Sequence, residues 1–308
     1  MRIAIIGAGA IGGYFGGRLA AAGTEVAFVA RGRTLEVLRQ TGLRLSSPLG
    51  DLHLPSVEAS DDPAALAPAD AVLVAVKSWQ VAGVAETIGP LLRPVSCVLP
   101  LQNGVDAPAQ LAAVLGPDRV LGGLCKIICH IETPGHIRHI GADPLIALGE
   151  LDDGASARVD RLHGALTAAG IKANVPDSIQ AAMWEKFLFI CAVSGLGAVT
   201  RMPLGVLRED PHTRDLLQRL MQEILQVAEA RSIPLKADIV ERSLSFIDSL
   251  PPSVTASMQR DIMEGRPSEL EAQNGAVVRL GREVDVPTPT NELIYHLLAP
   301  LERQARGE

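Results

Sequence analysis

Three glycines near the start of the chain, at positions 7, 9 and 12, have the spacing Gly-x-Gly-x-x-Gly. They follow an apolar run, Arg2 to Ile6, that is typical of a buried parallel strand, and they open a helical pattern. In that context the glycines permit a tight turn, a backbone approach to a pyrophosphate and close helix packing. The pattern therefore predicts a dinucleotide site, the alternative being a turn that only packs. The predicted cofactor contacts are Gly7, Gly9, Ala10, Ile11 and Gly12.

The end of the second predicted strand indicates which dinucleotide is bound. Residues Thr24 to Ala30 form this strand, and Arg31 and Arg33 follow it. No Asp or Glu stands there to bond the ribose 2′-OH of NAD, whereas guanidinium groups suit a 2′-phosphate. We therefore predict NADPH, with Arg31 as the better candidate and Arg33 second. The alternative is that both are solvated loop arginines.

Two polar side chains follow later predicted strands at their carboxyl ends. Lys77 follows an apolar strand ending at Val76, and Asn103 follows one that runs from Cys97 to Leu101. Because ligands of open α/β sheets lie beyond the carboxyl ends of strands, both are site candidates. A surface lysine and a turn asparagine are the alternatives.

Lys186 is the candidate for acid–base chemistry in the second half of the chain. It stands in Trp184-Glu185-Lys186-Phe187, at the start of a very apolar predicted helix. Such a lysine either extends to the surface or lies in a site, where desolvation lowers its pKa towards the range useful for proton transfer.

The fold class predicted from these elements is α/β, with an N-terminal Rossmann-type doubly wound sheet and an all-helical C-terminal domain. The boundary is expected at 177/178, which gives domains 1–177 and 178–308, because no strand pattern follows Ile179. Short strands over 136–140 and 145–149 are expected to extend the sheet in antiparallel fashion. The tail after Glu302 is polar and expected to fray.

The amino-acid composition limits the kinds of binding partner expected for this protein. The net charge of −7 argues against nucleic acid, and no uninterrupted apolar stretch reaches membrane-spanning length. The first ten residues predict a strand and a turn rather than an export signal, and the four cysteines lie in apolar surroundings. We expect a cytoplasmic enzyme without membrane partners. The apolar helices of the second half could pack within one chain or across a homodimer, and the sequence is compatible with both.

A cluster of histidines and cysteines between residues 125 and 139 contains residue types that bind metal ions. Its spacing matches no standard site, and ordinary strand and turn positions are the better interpretation, so no metal is expected. Its members are Cys125, Cys129, His130, His136 and His139.

The whole pattern resembles the ketopantoate reductase (2-dehydropantoate 2-reductase) family over nearly the full chain. Any one matching piece is modest evidence, but their shared order and spacing are specific. The pieces are Ile-Gly-Ala-Gly-Ala-Ile-Gly-Gly at 6–13, Val-Lys-Ser-Trp-Gln at 76–80, Leu-Gln-Asn-Gly at 101–104, Thr-Pro-Gly-His-Ile at 133–137, Trp-Glu-Lys-Phe at 184–187, Ser-Met-Gln-Arg-Asp-Ile at 257–262, Glu-Leu-Glu-Ala-Gln-Asn-Gly at 269–275 and Val-Pro-Thr-Pro-Thr-Asn at 286–291.

The resemblance implies a role for each matching residue. Lys186 matches the lysine that protonates the ketone oxygen as hydride arrives, and Glu269 the glutamate that orients it and helps to bind substrate. Lys77 and Asn103 match residues that line the cofactor and substrate sites, and Ser257 a serine that hydrogen-bonds the substrate. Asn103 and Glu269 thereby also count as cofactor contacts. The implied reaction is NADPH-dependent reduction of 2-dehydropantoate to pantoate, a precursor of pantothenate and coenzyme A.

One departure concerns the substrate. The family's asparagines four and eight residues after the lysine, and a further one beyond this helix, are here Ile190, Ser194 and Leu204. Because a site that hydrogen-bonds a substrate hydroxyl discriminates by that bond, a related, more apolar 2-oxo acid is the alternative substrate. A non-catalytic NADP-binding sensor is a further alternative.

Overall fold

The computed structural model describes residues 1–308, apart from the side chain of Ala142. It divides into two compact units, the first formed by 1–102 and 107–179, the second by 103–106 and 180–308. The strands are β1 (Arg2–Ile6), β2 (Glu25–Val29), β3 (Leu43–Ser46), β4 (Leu52–Leu54), β5 (Glu58–Ser60), β6 (Ala69–Val74), β7 (Leu92–Pro100), β8 (Gly122–Thr133), β9 (His136–Gly149) and β10 (Lys172–Asn174). The helices are α1 (Ala10–Ala21), α2 (Gly32–Thr41), α3 (Val81–Thr87), α4 (Ala107–Leu115), α5 (Ala157–Ala168), α6 (Ile179–Thr200), α7 (Leu204–Glu209), α8 (Pro211–Ala230), α9 (Ile239–Ser249), α10 (Ser257–Met263), α11 (Ala276–Glu283) and α12 (Pro289–Arg306).

The first unit is built on a five-stranded parallel sheet in the order β5-β2-β1-β6-β7. Ile3 and Ile5 of β1 pack in one buried cluster, while Ala4 and Ile6 pack in another. Alternate side chains of a strand point to opposite faces, so the sheet is covered on both sides. The order reverses between β1 and β6, which makes this the point where ligands of such sheets bind. The predicted doubly wound fold class is confirmed.

A second sheet in the same unit was not predicted as such. It has the order β10-β9-β3-β4, with β8 antiparallel to β9. The expectation of two short strands that extend the parallel sheet is wrong, because β9 runs unbroken from His136 to Gly149. A register shift of the β8 ladder between Lys126 and Ile128 accommodates the glycine and proline that suggested a break.

The second unit is helical, and α6 is its central helix. By length and composition alone this 22-residue helix is apolar enough to cross a membrane, but 67% of its most apolar window is buried within the protein. Residues such as Phe187, Leu188 and Cys191 are almost fully buried among other helices. The core position explains the apolar composition.

Helix α12 is a feature that the sequence pattern did not predict. Its N-terminus is held by the carboxylate of Glu223 in α8, which accepts hydrogen bonds from the backbone N–H groups of Thr290 (2.8 Å) and Asn291 (2.9 Å). The Asn291 amide also donates to Glu223 (2.8 Å) and accepts from Asn274 (3.1 Å). The expectation that the chain frays after Glu302 is wrong, because Arg306 pairs with Glu302 at 2.7 Å.

Candidate active site

The glycine turn of the first unit has the geometry that a dinucleotide requires. Gly7 has a φ of +94°, and a Cβ on Gly12 would lie 2.0 Å from the Gly7 carbonyl oxygen and 2.8 Å from Ile5. Only a glycine therefore lets α1 approach β1 so closely. A Cβ on Gly9 would meet no atom within 4 Å, so the backbone there is open on one side.

The start of α1 suits an anionic group. Gly9 is the N-cap residue, no side chain caps the helix, and its first turn contains no acidic residue. The first backbone N–H groups of a helix, here including those of Ala10 and Ile11, favour a negative charge together with the helix dipole. These residues fit the pyrophosphate of a dinucleotide cofactor.

The two arginines after β2 differ in their contacts. Arg33 forms an ion pair with Glu36 at 2.9 Å, with both side chains exposed. Arg31 is an exposed residue at the N-cap of α2, and within the part of the chain that the structure describes it forms no ion pair. Of the two arginines, Arg31 is therefore the one whose guanidinium is not paired with a carboxylate of the described residues, and it lies at the positive end of the α2 helix dipole.

Lys77 is an exposed residue that follows β6, and its ammonium lies 5.7 Å from the centre of the Trp79 ring.

Gln102 joins the ends of β6 and β7, because its side-chain amide donates to the carbonyl oxygens of Val74 and Val76, both at 2.9 Å. Sequence reasoning did not single out Gln102, although its place in Leu-Gln-Asn-Gly was the available signal.

Asn103 and Glu269 are brought together in the second unit although 166 residues separate them. The Asn103 amide donates to the Glu269 carboxylate at 3.3 Å, and Glu269 is 7% exposed. The approach depends on Gly104, whose φ is +100° and on which a Cβ would lie 2.7 Å from the carbonyl oxygen of Ala272. The Asn103 amide thus offsets part of the cost of burying the Glu269 carboxylate.

Lys186, Ile190 and Ser194 follow one another on a single face of α6, because residues four apart share a face of a helix. Lys186 and Ile190 are half-buried, and Ser194 is fully buried. The Ser194 hydroxyl has no hydrogen-bond partner among the described residues. Ser257, half-buried, is the first residue of α10.

Leu204, which stands where the family has an asparagine, is a core residue. It begins α7, is 1% exposed and packs in the apolar core of the second unit. An aliphatic side chain at this position is explained by packing alone.

A π-helical segment follows Glu269 directly, at residues Glu271–Gly275. π-Helical turns are rare and often mark functional positions. Within it Gln273 is fully buried, and neither its amide nitrogen nor its amide oxygen has a partner among the described residues. Gln273 lies within the matching piece at 269–275, but nothing in its neighbours signals the change of helical pitch.

Three of the four cysteines are poor candidates for a nucleophile. Burial raises the pKa of Cys97 to about 11 and that of Cys129 to about 12, and it raises the pKa of Cys191 well above its ordinary value. Thiols with such pKa values stay protonated near neutral pH and are poor nucleophiles. Among the described residues, no group of three or more His, Cys, Asp or Glu side chains is arranged to hold a metal ion.

Comparison with known proteins shows which family this chain resembles over nearly its whole length. The family model described as ketopantoate reductase PanE/ApbA matches residues 3–153, and the model of its C-terminal part matches residues 178–302. A 2-dehydropantoate 2-reductase of Mesorhizobium japonicum is 32% identical over 98% of both chains. The crystal structure of a PanE/ApbA family ketopantoate reductase from Ralstonia eutropha aligns with a TM-score of 0.91 at 31% identity, covering 99% of this chain and 100% of that one.

The chain therefore belongs to the ketopantoate reductase family, as its motifs predicted. It is an oxidoreductase of the type that acts on CH–OH groups, and the family uses NADPH. A relative of 28% identity that covers 99% of the chain, from Bacillus subtilis, is described only as an uncharacterized oxidoreductase, YkpB. Family membership thus leaves the substrate to be argued from the residues.

Exchange of Gly9 and of Gly12 for alanine separates cofactor binding from packing. Gly12→Ala is expected to lower the free energy of unfolding by about 1–3 kcal/mol, because the added methyl overlaps the Gly7 carbonyl. Gly9→Ala leaves stability within about 0.5 kcal/mol of wild type but weakens NADPH binding about tenfold or more, about 1.4 kcal/mol. Thermal unfolding and NADPH titration measure the two effects. Equal losses of stability in both variants would contradict the assignment of Gly9.

Proposed function

We propose that this protein catalyses the NADPH-dependent reduction of 2-dehydropantoate to pantoate. The observation that carries the proposal is the contact between Asn103 and Glu269, which joins two residues that match the family's site by a hydrogen bond of 3.3 Å. The proposed catalytic residues are Lys186 and Glu269, and the proposed substrate contacts are Asn103, Ser257, Ser194 and Ile190. The net charge of −7 and the burial of α6 support a cytoplasmic enzyme without nucleic-acid or membrane partners.

The chemistry assigns a separate task to each side chain. NADPH, when bound, supplies a hydride to the ketone carbon of the 2-oxo acid. Negative charge then develops on the carbonyl oxygen, and the Lys186 ammonium stabilises it and gives up a proton to it. The Glu269 carboxylate, fixed by Asn103, orients the ammonium, and the Ser257 hydroxyl donates a hydrogen bond to the substrate.

The cofactor residues lie in the first unit and are proposed from its geometry. The uncapped start of α1 would hold the pyrophosphate, with Gly7, Gly9 and Gly12 shaping the turn. Arg31 would hold the 2′-phosphate, and Lys77, at the end of β6, would lie beside the cofactor. The preference for NADPH over NADH rests on Arg31 because no acidic side chain stands at the end of β2.

A more apolar 2-oxo acid is the second candidate substrate, and a specific observation favours it. Ile190 offers a hydrocarbon surface on the face of α6 that carries Lys186, and it packs against the apolar core. A site that lacks amide groups there gains less from the hydroxyl of 2-dehydropantoate. A non-catalytic sensor is less well supported, since Lys186, Glu269, Asn103 and Ser257 are all present.

Removal of the Arg31 guanidinium tests the cofactor preference. Arg31→Gln is expected to raise the Kd for NADPH by about 10–100-fold, since a hydrogen bond to a charged group is worth about 1.5–3 kcal/mol. The Kd for NADH stays within about twofold of wild type. Arg33→Gln is the matched control, because that guanidinium is paired with Glu36. A similar loss for both cofactors, or a larger loss in the Arg33 variant, would show that Arg31 does not bind the 2′-phosphate.

The substrate is tested by kcat/KM for 2-dehydropantoate beside a panel of branched, apolar 2-oxo acids, with NADPH oxidation as the readout. The proposed function expects 2-dehydropantoate to lead by about tenfold, about 1.4 kcal/mol. Ile190→Asn should widen that lead, because it adds an amide able to bond a hydroxyl. If an apolar acid leads in the wild-type protein, the second candidate replaces the first.

Loss of the Lys186 ammonium distinguishes an enzyme from a sensor. Lys186→Ala is expected to lower kcat by about 10²–10⁴-fold, the usual contribution of a positioned acid, while NADPH still binds. Glu185→Gln serves as control on the same helix, since Glu185 is 3.9 Å from Arg242 and carries no proposed role. Unchanged turnover in Lys186→Ala would exclude Lys186 as the proton donor.

A further inference from the structure

A buried charged cluster joins the end of α12 to the segment that carries Glu269. The Glu302 carboxylate accepts hydrogen bonds from the backbone N–H of Ser268 with both oxygens, each at 3.0 Å, and from the Ser268 hydroxyl. Arg306 donates to Glu302 at 2.7 Å and to the carbonyl oxygen of Ser268 at 3.1 Å. We call Ser268, Glu302 and Arg306 the Ser268 clamp.

Two of the three clamp residues are buried in the second unit, and Arg306 is half-buried. Ser268 is fully buried and Glu302 is 8% exposed, whereas the neighbouring Arg303 is exposed. A carboxylate in such surroundings is costly unless it is paired and hydrogen-bonded. Arg306 and the Ser268 donors meet that requirement, so the three residues depend on one another.

The clamp holds the peptide groups on both sides of Glu269. The carbonyl of the peptide that precedes Glu269 belongs to Ser268 and accepts from Arg306. The N–H of the peptide that follows Glu269 belongs to Leu270 and donates to the Ser268 hydroxyl at 3.3 Å. With both adjoining peptide planes fixed, the direction of the Cα–Cβ bond of Glu269 is fixed as well.

We propose that Glu302 is a positioning residue of the reductase, which acts through Ser268 and with Arg306 to aim the Glu269 carboxylate. The inference rests on the proposed function of Glu269. A carboxylate that must orient an ammonium has to be held within a fraction of an ångström, and the bonds of its own peptide groups supply that restraint. The last turn of α12 thereby contributes to turnover without contact with substrate or cofactor.

A double-mutant cycle between Glu302 and Glu269 tests the proposal. Glu302→Gln keeps the shape of the side chain but weakens the clamp, and it is expected to lower kcat by about tenfold, about 1.4 kcal/mol, with the Kd for NADPH unchanged. In a Glu269→Gln background the same change should have less than a twofold further effect, because Glu302 acts through Glu269. The primary isotope effect with NADPH deuterated at the transferred position should rise in Glu302→Gln, since hydride transfer becomes slower.

Controls separate positioning from a loss of folded protein. Arg303→Gln, one residue along the same helix, should retain wild-type kcat, and thermal unfolding reports the folded fraction of each variant. If Glu302→Gln does not fold, Ser268→Ala, which removes only the hydroxyl, takes its place in the cycle, and Ser268→Thr should restore activity.

The outcomes distinguish a failure of the role of Glu302 from a failure of the role of Glu269. Independent, multiplicative losses from Glu302→Gln and Glu269→Gln, with an unchanged isotope effect, would mean that Glu302 serves stability alone and would overturn the inference while the proposed function stands. Wild-type turnover in Glu269→Gln itself would overturn both the role of Glu269 and the inference that depends on it.

Discussion

The segment that carries Glu269 is held in place by buried carboxylates at the two ends of α12. Glu223 anchors the start of the helix through Asn291, which in turn bonds Asn274 at the end of the π-helical turn. Glu302 anchors the other end to Ser268. The stretch from 268 to 275 is therefore fixed at both ends by one helix, and the irregular backbone between them persists because its surroundings determine it.

The proposed site draws on different physical features in the two units. In the first it is made of backbone: Gly12 lets α1 pack closely against β1, and the helix begins with no side-chain cap, an arrangement that favours an anionic group. In the second unit the proposed site is made of side chains: Lys186 stands on the apolar helix α6, and Glu269 is buried beside Asn103. In the proposed mechanism the transferred proton belongs to Lys186, whereas Glu269 only orients it, and the charge of the cofactor is met by helix N–H groups and arginine.

Sequence patterns were most reliable where local physics decides the outcome. The strand predicted over Arg2 to Ile6 is found at those residues, and the apolar helix predicted around Lys186 is α6, because continuous apolar runs leave few alternatives. The patterns failed for β9 and α12. In β9 a register shift of the ladder accommodates the residues between the two expected strands, and the start of α12 is held by Glu223, which is distant in the sequence.

The sequence by itself determined the glycine turn, the arginines after β2, the family and Lys186 as the candidate donor, because each rests on residue types at fixed local spacing. Only the tertiary structure decided that Asn103 meets Glu269. The same holds for the clamp that joins Glu302 to Ser268. Contacts between residues far apart in the chain depend on how the helices pack, and no local pattern encodes that packing.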